Sequence, residues 1–412
     1  MAEIRALYAD ENGNILDAPK GFTALARTGT EIVELSPDDL IPLPESADLM
    51  FLPDRMPLAK YEDEILPIMG NAVAAILPAG YTRLYMPAFK KEDDAVLLPL
   101  YGYTAVVIYK DELYVAAMYT DENDKWDPAH YNTRNLHKLV KRVQKDLPDN
   151  RLVEHLGNCS LTWHCCTAQN LFYRRWEAGI PTSPVCNANC FGCISLQPAE
   201  CCPSPQSRIK FRPTPKEIAQ IGLYHLETAP DAIISFGQGC EGEPSLAADN
   251  IVPAIEKIRK KTDKGQININ TNAGYTDGIK RIVDAGLDSM RVSIISANPE
   301  NYQAYYRCSY SLDDVKNSIA YAHEHGVHIS LNMLYFPGFN DSESEAKEWE
   351  SFLQENHVDM IQIRNLNVDP DAFAEIMPPF TKAIGTKKFF HRLHEKFPNI
   401  TIGSFSHYQK GE

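Results

Sequence analysis

Cys186, Cys190 and Cys193 stand in C-x3-C-x2-C spacing within the stretch PVCNANCFGC. Three thiolates in so short a loop can hold three irons of a cubic [4Fe–4S] cluster and leave the fourth iron without a protein ligand. An open metal position suits chemistry on a bound molecule, whereas structural zinc takes four protein ligands. A zinc knuckle completed from elsewhere, or unrelated thiols, are the plainer readings of the same three residues. Among the other cysteines, Cys159, Cys165 and Cys166 precede this loop and Cys201 and Cys202 follow it. Folding could gather these five into a second iron–sulfur or zinc site; the alternative is that they are small buried thiols.

The elements that must position these residues follow from the hydrophobic rhythm. After Gly179, short apolar strands alternate with amphipathic helices. The predicted strands are IPTSPV, AIISFG, ININTN, MRVSII, HISLNML and MIQIRNL. Thr214-Pro-Lys-Glu217 and Ser311-Leu-Asp-Asp314 are capping boxes that start helices, and Gly286 and Gly326 fall where helices end. Alternating strands and helices imply a parallel sheet with right-handed crossovers. Strands buried on both faces would be apolar throughout. Here Asn268 and Asn270, Arg291 and Ser293, Ser330 and Asn332, and Gln362 and Arg364 alternate with apolar residues, so one face of the sheet must line something polar. The expected fold is therefore α/β, a partial (β/α)6 TIM-type barrel over residues 179–412 with a C-terminal extension. Residues 1–121 read as an N-terminal mostly β (α+β) domain. Hairpins are expected to turn at Asn12-Gly13 and at Asp111-Glu112, with the Pro-rich stretch IPLPESADLMFLPDRMPL as loop. Residues 122–178 read as a helical connector. Its basic run RNLHKLVKRVQK (134–145) has the spacing of a solvated helix face.

With the cysteine loop after the first strand of such a barrel, the sequence resembles the radical S-adenosylmethionine (radical SAM) enzymes. Further short segments match in order. Gly242-Glu243-Pro244 is similar to the family's Gly-Gly-Glu-Pro segment, and Thr271-Asn272-Ala273 to its Thr-Asn-Gly element. Arg291 to Arg307 is similar to the segment that supplies a ribose-contacting Ser and a carboxylate-binding Arg. The resemblance implies that Cys186, Cys190 and Cys193 hold a [4Fe–4S] cluster. It implies that S-adenosylmethionine is held by Glu243 (Glu241 the second choice), Asn272, Ser293 and Arg307. One electron would then cleave the sulfonium to methionine and a 5′-deoxyadenosyl radical that takes hydrogen from a substrate. A reductant such as flavodoxin or ferredoxin is implied as partner. Gln362 and Arg364, on the last predicted strand, are candidates for substrate contact, with a hydrogen bond or ion pair closing the barrel as the alternative. One departure is Gly192, where the family usually has an aromatic residue directly before the third cysteine.

Composition excludes several classes. The chain has 412 residues with 55 acidic against 40 basic side chains, a net charge of −15, which disfavours nucleic acid as partner. No apolar run approaches the roughly 20 residues that span a bilayer, and the N-terminus lacks the plan of a signal peptide, so no membrane association and a cytoplasmic location are expected. Two other readings remain open: a non-catalytic iron–sulfur or zinc protein that uses the barrel as scaffold, and an RNA-modifying radical SAM member.

Overall fold

The computed structural model describes residues 3–122, 124–197, 204–379 and 381–409. Its second half is a sheet of seven parallel strands in sequential order: β1 (Glu177–Gly179), β2 (Ile233–Phe236), β3 (Gln266–Thr271), β4 (Ser289–Ile294), β5 (His328–Tyr335), β6 (Met360–Asn365) and β7 (Thr401–Gly403). Because residues paired in a parallel ladder share a face, the register shows how the sequence alternation is used. Asn268 pairs with Ser235 and Ser289, Arg291 with Asn270 and Ser330, and Asn332 with Ser293 and Gln362. The intervening row pairs Ile234 with Ile267, Ile269 with Met290, and Leu331 with Val292 and Ile361. That apolar row is buried together with the helices in one core. Burying each such aliphatic side chain contributes on the order of 1.5–3 kcal/mol. The polar row forms the inner face of an incomplete barrel.

Both capping boxes form as the sequence predicts, at Thr214 with Glu217 and at Ser311 with Asp314. Glu217 does a second job. Arg151 donates Nε and Nη2 to its two oxygens at 2.7 Å each, tying helix Arg151–Leu161 to helix Pro215–Thr228. The three helices before the barrel, Leu136–Asp146, Arg151–Leu161 and Cys166–Tyr173, bury Val140, Leu156 and Leu171 in the barrel's core. The basic residues of 134–145 stay exposed, as a solvated face should.

Two expectations about the barrel need correction. IPTSPV is not a strand: β1 lies just before it. Ile180 N–H gives a last ladder bond to Ser235 O at 2.9 Å, after which Thr182 and Ser183 turn their N–H groups to the Glu241 carboxylate. A seventh strand, Thr401–Gly403, adds to the six expected. The residues after it bridge opposite strands, Ser406 meeting Gln362 on β6 and Gln409 meeting Gln266 on β3.

The N-terminal strands pair antiparallel throughout. Leu7–Ala9 and Ile15–Asp17 form the first expected hairpin, with Gly13 at φ 80°. The second turns at Lys110-Asp111, one residue earlier than expected, with φ of 55° and 61°. The Pro-rich stretch is not loop: it supplies strands Leu40–Pro42, Asp48–Leu52 and the start of Arg55–Tyr61. Proline favours extended backbone in the residue before it, so a strand carrying proline at positions that need no N–H donor is compatible with its geometry. Among the described residues of this region, helix is limited to one 3-10 turn, Pro37–Asp39.

This β region docks on the carboxyl ends of β5 and β6. Arg83 N donates to Asn365 Oδ1 at 3.0 Å, Asn365 Nδ2 to Tyr81 O at 3.0 Å, and Gly29 N to Pro337 O at 2.8 Å. Arg55 Nη2 and Leu98 N both donate to Asp369 Oδ2, at 3.1 and 2.9 Å. The side chain of Arg83 is buried against Leu366 O and the Phe336 ring.

Candidate active site

The loop that leaves β1 is stitched to the loop that leaves β2. Glu241 accepts from Thr182 N (2.6 Å), Thr182 Oγ1 (3.0 Å) and Ser183 N (2.8 Å) on one oxygen, and from Gly237 N (2.7 Å) and Gln238 N (2.8 Å) on the other. Gly242 N then donates to Ser183 O at 2.7 Å and Glu243 N to Val185 O at 2.9 Å. The two backbones run so close that a Cβ on Gly242 would lie 2.0 Å from Val185 O, so only glycine fits there. The Gly-Glu-Pro segment is thereby fixed directly beside Cys186.

Glu243 is buried and accepts from Ser245 N (3.0 Å), Thr271 Oγ1 (2.5 Å) and Asn272 N (2.8 Å). Burial raises its pKa, and these three donors oppose that rise. A carboxylate offers about four acceptor positions. Five donors saturate Glu241, whereas Glu243 keeps capacity for another cation or donor. Asn272 extends the link: its Nδ2 donates to Asn187 Oδ1 at 2.7 Å, inside the cysteine loop, and its Oδ1 accepts from Gly274 N at 2.9 Å.

The far side of the cysteine loop rests on the end of helix Pro299–Tyr306. Asn189 N donates to Tyr306 O at 2.9 Å and Phe191 N to Tyr305 O at 3.0 Å. Arg307, in left-handed conformation at φ 44°, donates Nε to Asn189 O at 2.9 Å and lies over the Phe191 ring. Gly192 has a physical reason. A Cβ there would meet Tyr305 Oη at 2.7 Å and Val368 Cγ1 at 2.9 Å, so Tyr305 fills the space that an aromatic at 192 would need. Arg208, which sequence reasoning passed over, points Nη2 at Cys193 Sγ from 3.5 Å and Nε at Ser195 Oγ from 3.0 Å.

The thiol chemistry fits an iron–sulfur cluster. Burial, then the Glu243 charge, pushes Cys186 up to about 11, and burial pushes Cys190 up further. Such thiols ionise only when a cation takes the proton's place. The trio is not gathered as tightly as a group meant for one ion, in contrast to a His155, Cys159 and Cys240 group whose ligand atoms all lie within 4.8 Å of one another. Sulfurs bound to separate iron corners need that wider spacing.

Below the mouth, the polar row forms one network. Ser235 Oγ donates to Glu177 Oε1 (2.6 Å), Asn268 Nδ2 to Ser235 Oγ (3.1 Å), and Ser289 Oγ to Asn268 Oδ1 (2.8 Å). Arg291 pairs with Glu177 at 3.6 Å, but its Nε and Nη2 make no hydrogen bond to a described residue. Arg364 donates Nε to Asn332 Oδ1 at 3.1 Å, and burial plus the Arg291 charge hold its pKa down to about 10. Gln362 Nε2 reaches Ser330 and Ser406 while its Oε1 lacks a partner among the described residues. Ser293 lies half-buried on the same inner face, opposite Asn332 in the ladder.

The structure brings together Cys186, Cys190, Cys193, Glu243, Asn272 and Arg307 around one loop at the carboxyl mouth, with Ser293, Gln362 and Arg364 inside. Of the five remaining cysteines named from sequence, Cys159, Cys165 and Cys166 fall within the described residues. Cys159 joins His155 and Cys240, Cys166 Sγ lies 3.9 Å from His164 O, and Cys201 and Cys202 lie outside the described residues. An H-x3-C spacing within one helix was the available sequence signal for His155.

Residues 180–349 match the family model described as the Radical SAM superfamily. The barrel is a radical SAM domain. Relatives of this domain include GTP 3′,8-cyclase of Aquifex aeolicus, 29% identical over 164 residues, which are 38% of this chain and 47% of that protein. A probable dual-specificity RNA methyltransferase RlmN of Chlorobium luteolum is 33% identical over 144 residues, 31% of this chain and 40% of that one. The chain thus spans less than half the length of these two relatives. A crystal structure of methylornithine synthase (PylB) has a TM-score of 0.40 at 14% identity, covering 65% of this chain and 78% of that one. The radical SAM family works with a [4Fe–4S] cluster and S-adenosylmethionine, the pair for which the residues at this mouth have matching chemistry. Among the described residues no helix is long and apolar enough to cross a membrane.

Proposed function

We propose that this chain is a radical SAM enzyme whose cysteine loop holds a [4Fe–4S] cluster and whose strand ends hold S-adenosylmethionine. When bound and reduced, that pair supplies the electron that breaks the C5′–S bond and the 5′-deoxyadenosyl radical that follows. The single observation that carries the reading is the lacing of Val185 to Glu243 and of Asn187 to Asn272, which sets a buried acid beside the cysteines. Glu243, with unused acceptor capacity, receives the methionyl ammonium. Glu241, saturated by five donors, is a positioning residue. Arg307, its Nε spent on Asn189, offers its terminal nitrogens to the carboxylate, and Ser293 offers its hydroxyl to the ribose. Gln362 and Arg364 face the substrate. Two interior guanidiniums, Arg291 and Arg364, face the carboxylates of Glu177 and Asp121, so the interior is polar and charge-balanced. The N-terminal β domain, docked at Asn365 and Asp369, shields that side of the mouth from water. A flavodoxin- or ferredoxin-class donor supplies the electron, and the acidic balance supports a substrate other than nucleic acid.

EPR of the anaerobically reduced protein tests the reading. Adding S-adenosylmethionine should change the cluster signal, and Arg307→Ala should require more of it for the same change. A signal indifferent to S-adenosylmethionine would refute the assigned site.

A further inference from the structure

A second ligand set lies outside this site. His155 and Cys159 are one turn apart on helix Arg151–Leu161, so their side chains leave the same face. Cys159 Sγ lies 3.6 Å from His155 Nε2. Cys240, 81 residues further on and carried by the loop after β2, completes the group with all three ligand atoms within 4.8 Å of one another. Around a zinc ion with bonds of about 2.0–2.3 Å, tetrahedral ligands sit about 3.3–3.8 Å apart, so a small inward movement closes the set. Cys159 and Cys240 are 2% and 5% exposed, a dry setting for the site. Cys165 N donates to Cys159 O at 3.1 Å, which turns the chain so that Cys165 sits at the start of the next helix beside the group.

We propose that His155, Cys159 and Cys240 bind a single zinc-class divalent cation, and that the Cys165 thiol, which lies outside this 4.8 Å group, turns in as the fourth ligand. Mixed imidazole and thiolate donors select this ion over hard cations, and four protein ligands make the site structural. An iron–sulfur cluster is a worse match, because its cysteines bind separate iron corners and cannot all gather around one point. The placement gives the ion a consequence. Cys240 immediately precedes Glu241, whose carboxylate holds Thr182 and Ser183 at the root of the cluster loop. Metal at Cys240 would clamp that loop to the helices that precede the barrel. The site stands apart from the radical SAM reading and is tested without it.

The test uses the full chain with Cys186, Cys190 and Cys193 all changed to Ala, so that the cluster motif contributes no metal. Elemental analysis should find about one zinc per chain, and adding Cys240→Ser should lower it at least tenfold. His155→Cys, which keeps a ligand, should retain the zinc and controls for folding. Cobalt(II) added to the metal-stripped triple variant should give the intense visible bands of a tetrahedral thiolate site. Zinc-free triple variant, iron with sulfide in its place, zinc indifferent to Cys240→Ser, or a Cys159–Cys240 disulfide by mass spectrometry would each overturn the proposal.

Discussion

Asn272 donates its side-chain amide to Asn187 Oδ1 at 2.7 Å, joining the end of β3 to the loop that carries the three cysteines. The same residue gives its backbone N–H to Glu243. One residue, through its backbone and its side chain, therefore couples the acid to the cluster loop. Asn272→Ala keeps the backbone bond and removes the amide. With a buried hydrogen bond worth about 1–2 kcal/mol, S-adenosylmethionine should bind roughly 5–30-fold more weakly by EPR titration. Unchanged affinity would show that the loop is positioned without it.

Gly192 has no space for a side chain beside Tyr305 and Val368. Gly192→Ala should lower stability by about 1–3 kcal/mol and reduce iron per chain. Tyr305→Phe removes the hydroxyl that lies 2.7 Å from the new methyl, so the double variant should recover part of both losses. Urea denaturation and iron assays read the two effects, and a double variant no better than Gly192→Ala would place the conflict elsewhere.

Arg55 and Asp369, 1% and 3% exposed as side chains, form the buried pair across the junction of the two regions. Asp369 also accepts from Leu98 N and caps helix Pro370–Ile376. Removing one partner leaves the other charge buried and unpaired. Asp369→Ala should cost about 3–5 kcal/mol of unfolding free energy. A cost below about 1 kcal/mol would mean that water reaches Arg55 at this junction.

His225 is fully buried, with Nε2 3.1 Å from Trp176 O, and burial lowers its pKa to about 4 from 6.5. Between these values the unfolded chain binds a proton that the folded chain refuses. The contribution is complete above pH 6.5 and is lost as the pH falls toward 4. From pH 7 to pH 5 the loss should be about 2 kcal/mol. His225→Gln, which keeps a donor for Trp176 O but does not titrate, should flatten that part of a stability-against-pH curve. An identical slope in both proteins would assign the acid sensitivity to other groups.

The chemistry of the site was more legible in the sequence than its frame. Alternation such as Ile267-Asn268-Ile269-Asn270 forecasts a face because the side-chain period of a strand is two, and the ladder bears it out. β1 was not legible: Glu-Ala-Gly is three residues long and carries no β-branched side chain, while the β-prone residues beside it are held by a side chain distant in sequence, Glu241. The Pro-rich strands near Leu52 were hidden because proline signals turns locally, although its fixed backbone also suits extended chain. Cys240 and His155 meet only through tertiary packing, which no spacing rule reaches.

Release of 5′-deoxyadenosine decides between this reading and an inert scaffold. Anaerobic, cluster-loaded protein given reductant and S-adenosylmethionine should form 5′-deoxyadenosine and methionine in equal amounts, and Cys190→Ala should form neither. Wild-type protein that carries its full cluster, binds S-adenosylmethionine and still leaves it intact under reduction would contradict the account.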